Sequence, residues 1–242
     1  MRTLLTILVL AAAALTAAAQ TQPVALASAS ASASVAPAAT AAAPDAYTSA
    51  LLAAIAAQNA AKTPAEVQAG LSVLERIAAA APAAWEPRYY QVRAYIKLGF
   101  AGKDGDAQDK LFDQAQAVLD QALKMKGADR AELLVLQAYV LQGRIMVSPM
   151  LRGAVYTGRV QEALGEAKAL SPDNPRVYVL LANDLYFRPA VFGGGGEKAK
   201  PLYEKALALF DTYRPATALS PTWGKGNATS SLAKINAPAT GK

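Results

Sequence analysis

The sequence predicts an all-α protein, a right-handed solenoid of four helical hairpins followed by a C-terminal capping helix. Hydrophobic residues make up 53% of the 242 positions but aromatic residues only 7%, so the apolar content comes mainly from alanine and other good helix formers. Small residues also recur in steps of 44 within segments of helical apolar spacing, at Ala50, Ala94, Ala138 and Ala182. An all-β sandwich or barrel is therefore not expected.

Residues 1–19 have the pattern of a secretory (Sec) signal peptide. Arg2 is followed by an apolar run from Leu4 to Leu15 and then by small residues up to Ala19. The run is shorter than the roughly 20 apolar residues that span a bilayer, and the chain has no cysteine that could form a lipobox and carry a lipid. We expect a periplasmic or secreted protein that does not span the membrane once the signal is cleaved.

Residues 20–44 are predicted to form a disordered spacer between the signal peptide and the folded domain. This stretch contains 11 Ala, 4 Ser and 3 Pro and no charged or aromatic residue, so it cannot bury enough apolar surface to offset the entropy of ordering. Asp45 follows as a helix N-cap, and the repeat domain is expected over residues 45–235. Residues 236–242 should form a frayed tail.

Each predicted hairpin has a second helix with three small or apolar residues on one face. The spacings of 4 and 3 align the members of each set. Proline or glycine closes three of the hairpins, at Pro82, Gly127 and Pro172. The four sets are Gly70/Leu74/Ile77, Ala115/Leu119/Ala122, Val160/Leu164/Ala167 and Ala199/Tyr203/Ala206.

These positions resemble the tetratricopeptide repeat family, which has a small residue in the first helix, small/large/small positions in the second and a closing proline. The clearest match is Val160, Leu164, Ala167 and Pro172, followed by Tyr178, Ala182, Ala199, Tyr203 and Ala206. The segments SPMLRGAVY, PDNPRVY and FGGGGEKAKPLYEKAL also resemble uncharacterised secreted repeat proteins of Gram-negative bacteria. The resemblance implies a binding protein with a concave groove.

The hairpin tips are longer than the 34-residue family repeat allows. The extra residues fall in segments 99–106, 147–156 and 188–196, and stacking in register would bring them to one edge of the solenoid. Two interpretations stay open at this stage. The insertions either build a binding rim or simply lengthen the helices.

Residue types exclude most catalytic chemistry. The chain has no His and no Cys, which removes thiol nucleophiles, histidine acid/base catalysis and Cys or His zinc sites. No carboxylate pair or Ser-Lys element stands out. Asp104, Asp106 and Asp109 do not form an EF-hand, because the positions of its glycine and closing glutamate hold Asp109 and Ala115. We expect no enzyme activity, no metal and no cofactor.

Residues on the first helices are candidates for a binding groove. The step of 44 aligns charged and polar positions, and helical spacing adds three more to the same faces. Such planar polar and aromatic groups suit extended peptides or small polar ligands. For Tyr95 and Tyr139 the alternative is packing between neighbouring helices. The groove candidates are Arg88, Glu132, Arg176, Tyr95, Tyr139, Asn183, Gln91, Gln142 and Tyr186.

The glycine run before the last predicted hairpin helix is a candidate anion site. Gly194, Gly195 and Gly196 precede that helix, and Lys198 lies beside them, so backbone N–H groups at a positive helix end could receive an anion. The Gly-Lys-Ser/Thr ending of a P-loop is absent. A flexible turn is the alternative interpretation.

We therefore predict an exported binding or scaffold protein of the bacterial cell envelope, with a protein or peptide partner. The alternative is a periplasmic repeat protein that binds a small polar solute and assists its uptake. The net charge of +6 is modest and no long basic run occurs, so nucleic acid is not an expected partner.

Overall fold

The computed structural model describes residues 45–237, which fold into helices joined by short connections. Within this range the predicted all-α class is confirmed, since it holds nine α-helices, one short 3-10 helix and no strand. The signal peptide, the spacer and most of the tail lie outside the described residues. The α-helices are α1 (Ala46–Ala60), α2 (Pro64–Ala80), α3 (Glu86–Ala101), α4 (Gly105–Ala122), α5 (Arg130–Val147), α6 (Pro149–Leu170), α7 (Pro175–Phe187), α8 (Gly196–Thr212) and α9 (Lys225–Asn236), and the 3-10 helix is Ala190–Phe192.

Polar side chains cap most of the helix starts. The Asp45 carboxylate accepts a hydrogen bond from the backbone N–H of Thr48 at the start of α1. Thr63 and Glu66 form a reciprocal capping box at the start of α2. The Asp104 and Asp129 carboxylates accept hydrogen bonds from backbone N–H groups at the starts of α4 and α5, as Asp45 does for α1. These short side chains satisfy N–H groups that have no partner within the helix, so they define where each helix begins.

Helices adjacent in sequence pack as pairs: α1 with α2, α3 with α4, α5 with α6, and α7 with α8. The first helices α3, α5 and α7 also contact one another in succession, and α9 packs on α8. Small residues allow these close approaches, since Ala94, Ala138 and Ala182 are buried, whereas Ala50 is exposed. On the second helices the triplets of α4, α6 and α8 are buried throughout.

The extra length of the tips is helical in two hairpins and a loop in another. α3 runs to Ala101 and α4 starts at Gly105, while Ser148 alone separates α5 from α6. Longer helices therefore account for the insertions of the second and third hairpins. Between α7 and α8, the segment 188–195 forms an irregular tip around the 3-10 helix.

The buried side chains form two clusters, one supplied mainly by α1 to α5 and one by α5 to α9. Tyr139 and Trp223 pack against both clusters. Trp223 belongs to residues 213–224, which we call the C-terminal segment and which links α8 to α9. None of the described helices combines the length and apolar character needed to cross a membrane.

Candidate ligand-binding site

Several large apolar side chains at the hairpin tips are exposed and surround a cavity of about 570 Å³, which we call the tip pocket. Met150 and Phe192 are 74% and 60% exposed. Exposed apolar groups that gather in a concave site are typical of ligand-binding surfaces. The large apolar side chains that line the pocket are Phe100, Tyr139, Met146, Met150, Phe187 and Phe192.

Four parts of the chain supply most of the walls of the tip pocket, and Asn227 of α9 also lines it. The junction of α5 and α6 contributes Met146 and Met150, which lie on either side of the single linking residue Ser148. The last turn of α3 contributes Phe100. Phe187 ends α7, and Phe192 belongs to the 3-10 helix after it. The longer helices and the irregular tip therefore both help to build the pocket.

A stack of rings supports one wall of the pocket. Tyr139 lies nearly parallel to Trp223, with ring centroids 5.6 Å apart, and 5.4 Å from Phe100. The Arg93 guanidinium also lies 4.4 Å from the centroid of the Trp223 ring. Burial raises the pKa of the Tyr139 phenol, so this group stays protonated and neutral at physiological pH.

The polar part of the pocket is an ion pair on α7 and the loop after it. Arg188 Nη2 contacts Asp184 Oδ2, and Gln161 Nε2 of α6 donates to the same carboxylate oxygen at 2.6 Å. Burial raises the pKa of Asp184, an effect that outweighs the opposing influence of Arg188 and Gln161. Four uncharged polar residues also line the pocket: Gln142, Thr157, Asn183 and Asn227. Gln142 donates to the Leu180 carbonyl and Asn183 accepts from the Tyr203 hydroxyl.

The groove expected from the sequence is occupied by the C-terminal segment. Arg176 and Glu132 are only 1% and 3% exposed and form an ion pair, with Arg176 Nη2 2.6 Å from Glu132 Oε1. Arg176 Nη1 also donates to the Pro221 carbonyl at 3.0 Å. These two candidate binding residues therefore hold the chain's own C-terminal segment against α5 and α7.

Further hydrogen bonds fix the C-terminal segment in this position. The Tyr90 hydroxyl donates to the Leu219 carbonyl at 2.8 Å, and Trp223 Nε1 donates to the Tyr89 hydroxyl at 2.7 Å. The sequence predicts a C-terminal capping helix but no contact for Trp223. Its return to α3, more than a hundred residues earlier in the chain, has no local sequence signal.

The other groove candidates are separated by the structure. Gln91 is buried and donates to the Leu74 carbonyl, while Arg88 donates to the Ala84 carbonyl. Tyr95 donates to Glu75, and Tyr186 packs edge-to-face on Phe187. The candidates that line the tip pocket are Tyr139, Gln142 and Asn183. Phe100, Met150 and Phe192 lie in the inserted segments that the sequence left as a possible binding rim, but no local pattern singled out these side chains.

The glycine run is a tight turn in which the Gly194 and Gly195 amides have backbone partners. Gly194 N–H donates to the Pro189 carbonyl at 3.2 Å and Gly195 N–H donates to the Leu185 carbonyl at 2.8 Å. Gly193 and Gly195 have positive φ values of 80° and 116°, which favour glycine. Gly196 begins α8, and a Cβ there would contact Ile235 of α9.

Two of the acidic residues near the start of α4 have different partners: Asp104 caps the helix, whereas Asp109 pairs with Arg152. Arg152 of α6 holds the Asp109 carboxylate with two hydrogen bonds of 2.6 and 2.7 Å. The Arg152 hydrogen bond lowers the pKa of Asp109. Across residues 45–237, no group of three or more His, Cys, Asp or Glu side chains is arranged to hold a metal ion.

Comparison with known proteins gives one informative likeness. No protein-family model matches the chain, and no curated protein sequence matches it either. Among solved structures, the chain is similar to the HusA haemophore from Porphyromonas gingivalis, with 29% sequence identity and a TM-score of 0.71. The match covers 79% of this chain and 93% of that chain. The two proteins therefore share a helical fold over most of their lengths.

Proposed function

We propose that this chain is an exported binding protein whose tip pocket takes haem or a closely related tetrapyrrole. The observation that carries the proposal is the apolar cavity of about 570 Å³ at the hairpin tips, lined by aromatic and thioether side chains. The likeness to a haemophore at 29% identity supports the same ligand class. A binding role also suits a chain without His or Cys, and we propose no catalytic activity.

The size and lining of the pocket suit a flat apolar ring. Small-molecule sites commonly measure about 300 to 1,000 Å³ and are mostly apolar, with a few polar groups that orient the ligand. Phenylalanine and methionine side chains contact both aromatic and aliphatic parts of a ligand, and methionine adapts to irregular shapes. Removal of apolar surface from water contributes about 25 cal/mol per Å², so contact with the ring faces would supply most of the affinity.

Iron coordination is expected to add little to this binding. Haem iron is usually held by His, Cys, Met or Tyr, and of these types the pocket offers Met146, Met150 and Tyr139. Burial keeps the Tyr139 phenol protonated, which makes it a poor ligand for iron. The neutral thioethers of Met146 and Met150 are soft ligands that bind ferric iron weakly, so we expect metal-free porphyrin to bind about as tightly as haemin.

The test is an equilibrium titration of the purified protein with haemin and with metal-free mesoporphyrin IX. We expect saturable binding of both, read from the Soret absorbance and from quenching of tryptophan fluorescence, since Trp223 stacks on the pocket residue Tyr139. Binding should also raise the melting temperature by mass action. A folded protein that gives no absorbance change and no thermal shift with either compound would reject the proposal.

A protein partner remains the second candidate, because some exposed apolar residues lie outside the cavity. Leu151 and Val191 are 78% and 83% exposed, and neither lines the tip pocket. Such side chains are typical of a protein-binding surface. Crosslinking in envelope extracts, compared between the wild type and Leu151→Ser, tests this candidate, and equal crosslinking yields would contradict it.

The architecture behind this function is proposed to be a right-handed, tetratricopeptide-like solenoid of four elongated hairpins. The succession of contacts among α3, α5 and α7 and the burial of Ala94, Ala138 and Ala182 support this interpretation. Export by a signal peptide over residues 1–19, to the periplasm or the medium, belongs to the same proposal. Amino-terminal sequencing of the exported protein tests the cleavage site.

A further inference from the structure

Charge is sparse in the tip pocket and confined to one place. Among the described residues that line it, Arg188 carries the single positive charge and Asp184 the single negative charge. The two are one turn apart and form an ion pair. An arginine at the edge of an apolar cavity has the composition expected of a site for an amphipathic anion.

The guanidinium of Arg188 has hydrogen-bonding capacity left for a ligand. Its Nη2 contacts Asp184, whereas its Nε and Nη1 have no partner among the described residues. The side chain is 26% exposed. The neighbouring polar groups are engaged, because Gln142 donates to the Leu180 carbonyl and Asn183 accepts from Tyr203. Arg188 is therefore the positively charged donor among the described residues that line this pocket, beside the uncharged side chains of Tyr139, Thr157 and Asn227.

The turn after α7 holds the backbone of Arg188 tightly. A Cβ on Gly194 would overlap the carbonyl oxygen of Arg188 and come within 2.5 Å of its Cβ, so only glycine allows this approach. Gly195 N–H ties the same turn to the Leu185 carbonyl at 2.8 Å. The glycine run thus positions Arg188 at the pocket, which gives it a role other than direct anion binding.

Asp184 positions Arg188 from the opposite side. Its carboxylate is 6% exposed and is fixed by Gln161 of α6 at 2.6 Å. The acid contacts one guanidinium nitrogen of the arginine, Nη2. Nε and Nη1 have no partner among the described residues, and arginine can engage two carboxylates through different nitrogens.

We propose that Arg188 receives a carboxylate of the ligand, which makes the ligand an amphipathic tetrapyrrole with peripheral carboxylates rather than a fully apolar ring. The ring lies against the phenylalanine and methionine walls, and the carboxylate reaches the free edge of the guanidinium. Arg188 acts as a specificity-determining residue and Asp184 as its positioning partner. This inference rests on the proposed tetrapyrrole function.

The test compares two probes that share a ring and differ in charge: metal-free mesoporphyrin IX and its dimethyl ester. The wild type should bind the diacid about tenfold more tightly than the ester, the lower range for hydrogen bonds to a charged group. In Arg188→Gln the affinity for the diacid should fall about tenfold while the affinity for the ester stays unchanged, so the preference for the diacid disappears. Arg188→Lys keeps the charge but not the planar guanidinium, so its preference for the diacid should lie between those of the wild type and Arg188→Gln.

Lys198→Gln is the matched control. It removes the same charge from the same tip, where Lys198 is exposed and does not line the pocket, and it should keep the preference for the diacid. Equal binding of diacid and ester by the wild type would overturn the inference and leave the proposed function standing. An equal loss in Lys198→Gln would also overturn it, because long-range charge would then explain the effect. Failure of the wild type to bind either probe would overturn the proposed function and the inference together.

Discussion

At the scale of single residues, Glu132 and Arg176 form the most deeply buried ion pair among the described residues. Glu132 accepts from Arg176, from the Tyr89 hydroxyl at 2.9 Å and from the Asn174 amide at 2.6 Å. These acceptors and donors come from three different helices or their caps. The pair therefore connects the C-terminal segment to the centre of the fold.

Glu132→Ala should destabilise the protein by about 3 to 5 kcal/mol, because it leaves the Arg176 cation buried without its carboxylate. Urea denaturation at neutral pH measures the loss. The matched control is Glu166→Ala, whose carboxylate lies 3.5 Å from Arg130 and is 51% exposed. That exposed pair should contribute at most about 1 kcal/mol. Equal losses in the two variants would contradict the assigned role of Glu132.

Asp184 gives a prediction about pH. Burial raises its pKa in the folded state above the ordinary value of 3.8, so the fold favours the protonated form. Its contribution to stability is therefore fully present below pH 3.8 and is lost as the pH rises through the folded pKa. Asp184→Asn does not titrate, so the stability of the wild type relative to this variant should fall from acid to neutral pH. A relative stability that rises with pH would mean that the pairing with Arg188 dominates.

At the scale of elements, two glycines explain how α3, α4 and α5 pack so closely. The Phe112 ring of α4 lies against Gly99 of α3 and Gly143 of α5, and a Cβ at either glycine would overlap the ring. Phe112 is fully buried. Any larger residue would separate the helices or displace this ring.

Gly143→Ala should therefore destabilise the protein by about 1 to 3 kcal/mol through overpacking. Gly165→Ala is the control, because Gly165 lies within α6 and a Cβ there would meet nothing within 4 Å. That change should stabilise the protein by about 0.5 to 1 kcal/mol through helix propensity. The same substitution thus has opposite signs at the two sites, and thermal denaturation measures both. Stabilisation by Gly143→Ala would contradict the packing described here.

Local sequence signals predicted where the helices lie better than they predicted which distant parts of the chain pack together. Asp45 as an N-cap and the apolar face of Ala115, Leu119 and Ala122 follow from helix geometry alone, and the structure has both. The position of Trp223 against Tyr139 depends on contacts between distant parts of the chain. No periodicity encodes such a contact, so the sequence predicted only that a C-terminal helix would cap the last hairpin.

At the scale of the whole molecule, the return of the C-terminal segment changes where a ligand can bind. The segment fills the space beside Glu132 and Arg176, so the open concave surface is the tip pocket. Tyr139 and Asn183 were predicted from the repeat step and Gln142 from helical spacing, and all three line this pocket. Phe192 lies in segment 188–196, a possible rim in the sequence, but neither it nor Met146 was singled out, because a lone methionine or phenylalanine has no pattern until several tips meet.

The central claim is that the tip pocket binds a tetrapyrrole, and blocking the pocket tests it most directly. Ala154 lines the pocket from α6, and Ala169 lies farther along the same helix, exposed and outside it. We would titrate metal-free mesoporphyrin IX into the wild type, Ala154→Trp and Ala169→Trp. The account predicts saturable binding by the wild type and Ala169→Trp, and binding at least about tenfold weaker, a loss of about 1.4 kcal/mol, in Ala154→Trp. Equal affinity of all three proteins, or no binding by the folded wild type, would contradict it.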